Sequence, residues 1–102
     1  MSRHRYRTTL PDGTPVTVTA GWDFPLQWFY CNIEGPGDDP RLDEDEGTVY
    51  SNLHDPKAPR TDWGYFEVRL AEHGVAIPPG MAEAIVEDRS RQRRNAETDW
   101  ST

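Results

Sequence analysis

Two runs decide the fold: Arg3-His4-Arg5-Tyr6-Arg7-Thr8-Thr9-Leu10 and Pro15-Val16-Thr17-Val18-Thr19-Ala20-Gly21-Trp22, joined by Pro11-Asp12-Gly13-Thr14. In the first, Tyr6, Thr8 and Leu10 alternate with Arg3, Arg5 and Arg7; in the second, Val16, Val18, Ala20 and Trp22 alternate with Thr17, Thr19 and Gly21. A period of two puts one set on each face of a half-buried strand. The joining tetrapeptide is turn chemistry. Pro presets φ, Asp accepts a bond from the backbone beyond it, and Gly adopts positive φ without a Cβ clash. The two runs are therefore predicted to form a β-hairpin.

Beyond the hairpin, Asp23-Phe24-Pro25-Leu26 breaks the pattern, because proline has no N–H to give a central ladder. Gln27 to Glu34 reads as a third strand, with Phe29, Cys31 and Ile33 on one face and Trp28 and Tyr30 on the other. Apolar side chains on both faces mean a central strand covered twice, or one that shows an aromatic face to a partner. The stretch from Gly35 to Gly47 holds Asp38, Asp39, Asp43, Glu44, Asp45 and Glu46, and its Gly and Pro content excludes a regular element. Thr48-Val49-Tyr50-Ser51 then forms a short fourth strand, which makes the acidic run a long hairpin loop.

After an irregular segment carrying Pro56 and Pro59, Thr61 or Asp62 is placed to cap a helix whose apolar residues Trp63, Phe66 and Leu70 share one face. Gly74 after His73 ends it. Pro78-Pro79-Gly80 opens a second helix with Met81, Ala84 and Ile85 inward. The order ββββαα predicts an α+β fold, a four-stranded antiparallel sheet with two helices packed on one face. A single domain over 1–94 is expected, followed by a polar C-terminal tail over 95–102. Trp100 in that tail either folds back onto the body or is exposed for a partner.

Composition narrows the function. A chain of 102 residues has room for one core. Only 34% of it is hydrophobic, but four Trp, four Tyr and three Phe supply large apolar surfaces, each aromatic burying about 150–250 Å². Cys31 is the single cysteine, so an intramolecular disulfide and a multi-cysteine zinc site are both excluded. There is no leader pattern, and no apolar run approaches the roughly 18–20 residues of a membrane span, so a cytoplasmic protein is expected. The net charge of −7 argues against direct nucleic-acid binding, which needs a basic footprint. It suits a protein partner with a basic surface, and it equally suits solubility alone.

No motif brings catalytic chemistry. His4, His54 and His73 lack the spacing that sets two imidazoles on one helix face, and His73 reads as a helix end. Cys31 lies among apolar neighbours, as a small hydrophobe does. Nucleophile elbow, phosphate loop and dinucleotide fingerprint are all missing from the sequence. Asp43-Glu44-Asp45-Glu46-Gly47 fails the calcium-loop pattern, since Glu46 stands where glycine is required. No catalytic residue, metal or cofactor is assigned. An enzyme with an unrecognised site would be built around Asn52, His54 and Asp55.

Charge is distributed unevenly along the chain. Arginines gather at Arg3, Arg5 and Arg7 and again from Arg89 to Arg94, and the acids concentrate between Glu34 and Glu46. Asp38, Asp39, Asp43, Glu44, Asp45 and Glu46, with Trp28 and Tyr30, are the candidate partner-binding residues. Carboxylates beside exposed rings imitate the phosphates and bases of a nucleic-acid strand.

Gly21-Trp22-Asp23-Phe24-Pro25-Leu26-Gln27, Val49-Tyr50-Ser51-Asn52-Leu53 and Gly74-Val75-Ala76-Ile77-Pro78-Pro79-Gly80-Met81 resemble segments of small acidic proteins carried by proteobacterial plasmids and integrative mobile elements. The resemblance spans most of the chain and brings neither an activity nor a site residue. It implies a context: small acidic proteins of such elements include anti-defence inhibitors, anti-CRISPR proteins among them, which block host nucleic-acid enzymes. The expectation is a non-catalytic binding protein, an inhibitor or regulator that docks its acidic run on a basic surface of a nucleic-acid-handling protein. The alternatives are a self-associating structural module, with the aromatic strand face as a homodimer interface, and the small enzyme around His54 and Asp55.

Overall fold

The hairpin forms as its alternation dictates. In the computed structural model, which describes residues 1–35, 48–52, 55–59 and 61–100, β1 (Ser2–Thr9) pairs antiparallel with β2 (Pro15–Asp23), from Thr9 opposite Pro15 to His4 opposite Ala20. Between them Gly13 takes φ +92°, and the Thr14 N–H bonds Asp12 Oδ1 at 2.9 Å. β3 (Trp28–Glu34) pairs antiparallel with β2, and β4 (Thr48–Ser51) with β3 across an irregularity at Ile33/Glu34.

Two helices follow. α1 (Trp63–Glu72) starts after Asp62, whose side chain makes no capping bond, and it buries Trp63, Phe66 and Leu70. It ends in a Schellman motif: the Gly74 N–H bonds the Ala71 carbonyl and the Val75 N–H bonds the Leu70 carbonyl, each at 2.9 Å. Gly74 has φ +81°, and a Cβ there would lie 2.4 Å from the Pro11 ring, so glycine is required twice over. α2 (Pro79–Ser90) begins on Pro79 at its first position. Its buried residues are Met81, Ile85 and Asp88; Ala84, expected inside, is half-buried.

The expectation of four antiparallel strands needs correction. Ala96–Asp99, within the stretch expected as a polar tail, forms a fifth strand, β5, parallel to β1, with Ser2 opposite Ala96 and Arg5 opposite Asp99. The sheet is thus mixed, in the order β4-β3-β2-β1-β5. The segment Ala96-Glu97-Thr98-Asp99 gives no alternating apolar signal because it is an edge strand whose side chains reach solvent. Its backbone bonds and the residue that follows, Trp100, hold it in place.

The core lies between the helices and one face of the sheet. Val18, Ala20 and Trp22 of β2 and Phe29, Cys31 and Ile33 of β3 meet Trp63, Phe66, Leu70, Met81 and Ile85. Edge-on ring contacts link Trp22 to Phe29 and Phe29 to Trp63, at 5.1 and 5.9 Å between centroids.

Candidate functional site

Because side chains alternate, burying one sheet face on the helices leaves the other, among the described residues, without a helix. That open face carries Arg3, Arg5 and Arg7 from β1, Thr17 and Thr19 from β2, and Trp28, Tyr30, Asn32 and Glu34 from β3. These residues line a concave cavity of about 890 Å³. The strand spacing of about 4.8 Å sets the arginine row and the aromatic row roughly 10 Å apart, with the short side chains of β2 as the floor between them.

The face divides into an apolar shelf and a polar basin. On the shelf, Tyr30 crosses β2 above Gly21 and donates its hydroxyl to the Ser2 carbonyl at 2.7 Å. Only glycine fits below: a Cβ on residue 21 would stand 2.2 Å from that carbonyl oxygen. Burial pushes the Tyr30 phenol up to about 12, against the pull of the Arg3 guanidinium, so the hydroxyl remains a donor. Trp28 stands beside it, half-buried. Leu26, 53% exposed, extends the shelf from the turn between β2 and β3.

That turn is held from several sides. The Gln27 N–H bonds the Asp23 carbonyl at 2.8 Å, the Gln27 side chain bonds the Phe24 carbonyl at 2.7 Å, and Arg94 stacks on Phe24. Gln27 sits at φ +55°, an uncommon backbone state for a residue other than glycine.

In the basin, Arg5 and Arg7 lie between acids. Glu97 is 3.7 Å from Arg5 and Asp99 is 3.8 Å from Arg7, both from β5, and Glu34 stands across the floor. These two pairs are solvent-exposed and contribute little to stability, but they place acids beside the arginines. Three arginines share this side of the sheet with Asp23, Glu34, Glu97 and Asp99, so the face is mixed in charge rather than cationic.

Trp28 and Tyr30, the aromatic candidates, are therefore brought together on one surface. The acidic candidates Asp38, Asp39, Asp43, Glu44, Asp45 and Glu46 lie outside the described residues, as does His54. Of the remaining residues near His54, Asn52 Oδ1 accepts the Cys31 N–H at 3.2 Å. Asp55 Oδ2 accepts the hydroxyls of Tyr50 and Tyr65 at 2.9 and 2.8 Å. The Tyr65 bond, reinforced by Tyr50, holds the Asp55 carboxyl below its usual range, and the same bond pushes the Tyr65 phenol up. A cavity of about 220 Å³ adjoins these residues, lined also by Trp28, Phe29 and Phe66. Asn52 and Asp55 thus spend their acceptors on the fold. Burial pushes the Cys31 thiol up to about 12, which leaves little thiolate for a nucleophile.

Sequence reasoning missed His4, which is buried on the core face. Its Nε2 lies 2.6 Å from Asp88 Oδ2, and its Nδ1 lies 2.9 Å from the indole Nε1 of Trp100. Arg93 Nε reaches the other Asp88 oxygen at 2.8 Å. The partners are 84 and 96 positions from His4, beyond any local pattern. The one available signal was the isolated tryptophan in a polar stretch. Among the described residues no three His, Cys, Asp or Glu side chains are placed to hold a metal ion, and no helix is long and apolar enough to cross a membrane. No protein-family model, curated protein or solved structure matches the chain.

Proposed function

We propose that this protein is a non-catalytic, cytoplasmic binding module that inhibits or regulates another protein by docking its acidic run, together with the Trp28/Tyr30 face, on a basic surface of a nucleic-acid-handling protein. The observation that carries the reading is the open face itself, where Leu26, Trp28 and Tyr30 form an apolar shelf beside Arg5 and Arg7. Tryptophan, tyrosine and arginine in one concavity are the side chains that dominate binding energy at protein interfaces. The acids that bracket the arginines favour a protein over a nucleic-acid strand, whose successive phosphates would meet Asp23, Glu34, Glu97 and Asp99. The acidic run joins the ends of β3 and β4, so it is tethered at Gly35 and Thr48, on the rim of the same sheet. Its charges steer encounter, and the shelf holds the complex once formed. The resemblance to small acidic proteins of mobile elements supports an anti-defence role, with a host nucleic-acid enzyme as the partner.

The test is capture of a partner from cell extract, followed by rate measurements on the purified pair. Reversing Asp43, Glu44 and Asp45 to lysine is expected to slow association and flatten its salt dependence. Trp28→Ala is expected to speed dissociation by about 30-fold, as loss of an interface anchor of about 2 kcal/mol does. Unchanged association sinks the steering role of the acids; unchanged dissociation sinks the shelf.

A further inference from the structure

The proposed docking leaves unused the chain of bonds from Trp100 through His4 to Asp88 and Arg93. An indole N–H only donates, so the 2.9 Å contact from Trp100 Nε1 requires a lone pair on His4 Nδ1. A carboxylate only accepts, so the 2.6 Å contact to Asp88 requires the imidazole proton on Nε2. Both bonds together fix one neutral tautomer. Protonation would place an N–H on Nδ1 facing the indole N–H, with two donors and no acceptor between them. The bond to Asp88 survives that event and strengthens; the bond to Trp100 does not.

β5 depends on that indole. Glu97, Thr98 and Asp99 are exposed, so the strand brings little apolar burial of its own. Trp100 supplies the anchor: its backbone N–H donates to the Arg5 carbonyl at 2.7 Å, and its ring lies against Gly80, where a Cβ would come within 3.3 Å. The groups facing His4 have been placed by the fold. Asp88 reaches it from α2, with Arg93 behind that carboxylate, while Tyr6 lies along its own strand. Ala20 and Thr98, in register with it on the neighbouring strands, do not ionise.

We propose that Trp100, His4 and Asp88 form a proton-operated latch: β5 is held against β1 while His4 is neutral and is released when His4 takes up a proton. The released state binds one more proton than the latched state, so acid favours release and the latch strengthens as pH rises. Release also withdraws Glu97 and Asp99 from Arg5 and Arg7, which leaves the arginine row of the open face more cationic. That last consequence rests on the docking function proposed above; the latch does not.

Amide hydrogen exchange read by NMR at about pH 8 and about pH 5, the interval in which histidine charge changes commonly fall, tests the latch on the full chain. With exchange expressed as protection factors, the amides of residues 96–100 and the Trp100 indole N–H should lose about tenfold in protection at the lower pH, the effect of losing one hydrogen bond. Amides of Val18 and Cys31 should hold theirs. Trp100→Phe keeps a ring against Gly80 but has no N–H to give, so it should lower β5 protection at the higher pH and abolish the pH response. His4→Asn retains an acceptor and cannot become a cation, so β5 should stay equally protected at both values. If His4→Asn does not fold, Trp100→Phe decides alone. Constant β5 protection in the native chain overturns the latch, as does parallel loss in β5 and the core, or an intact pH response in Trp100→Phe. None of these outcomes depends on whether a docking partner is captured.

Discussion

Trp28 and Phe29 are neighbours in sequence and face opposite ways. Phe29 is 2% exposed and packs between Trp22 and Trp63. Trp28 lies half-buried on the open face beside Tyr30. Both are large aromatics on the same strand, so residue type cannot tell them apart; the pleat and the helices do. On the helix face an aromatic is a structural part, fixed by neighbours on several elements. On the opposite face an aromatic is part surface: Trp28 is half-buried and borders both the open face and the cavity beside Phe29 and Phe66. A single β-strand thus puts one aromatic into the core and the next on the opposite sheet face.

The contrast can be broken most forcefully at this pair. Phe29→Ala is expected to cost about 3–5 kcal/mol, the range for emptying an aromatic site in a core, whereas Trp28→Ala should stay within about 1 kcal/mol. Urea unfolding followed by circular dichroism measures both, and equal costs would mean that the two faces are not functionally divided. Tyr30→Phe sharpens the boundary, since the Tyr30 ring belongs to the open face while its hydroxyl secures the Ser2 carbonyl on β1. Losing that one bond should cost about 1 kcal/mol in the same assay, and no cost would show that the ring alone holds the shelf.

The smallest effect is expected at Asp55, whose carboxyl is kept low by the Tyr65 and Tyr50 hydroxyls. A depressed value stabilises the fold above the unfolded-state pKa of about 3.9 and loses that contribution as pH falls through the lower folded value. Asp55→Asn should therefore be less stable than the native chain at neutral pH. The gap should close on acidification below about pH 4, as unfolding at a series of pH values would show; a gap constant with pH would remove the carboxylate from the account.

The hairpin, the third strand and both helices were legible because each obeys a local period or carries a local punctuation mark. Val16, Val18, Ala20 and Trp22 alternate, Gly13 and Gly74 occupy positive-φ sites, and Trp63, Phe66 and Leu70 recur along one helix face. Trp28 and Tyr30 were legible as the second face of an aromatic strand. β5 was not, since an edge strand with exposed polar side chains has no amphipathic signature, and pairing with β1 is a long-range choice. His4 and Asp88 were hidden for a related reason: each sits in a polar local sequence, and only the tertiary fold makes them partners. The arginine row read as one face of a half-buried strand, and its three residues are exposed there. Its pairing with β5 acids could not be read until β5 itself was placed.

The pairing of Ser2–Arg5 with Ala96–Asp99 has a consequence for the order in which the chain matures. One edge of β1 stays without its ladder partner until nearly a hundred further residues have been made. The β1–β2 hairpin can close early, but the free edge of β1 is then an unpaired template exposed to other chains. Contacts of such large sequence separation also form slowly, because a long loop must close before they return anything. During synthesis, the interval between the emergence of β1 and the arrival of Trp100 is the period of greatest risk of misassembly. Shortening that interval, or occupying the β1 edge within it, would be expected to change the yield of folded protein more than its final stability.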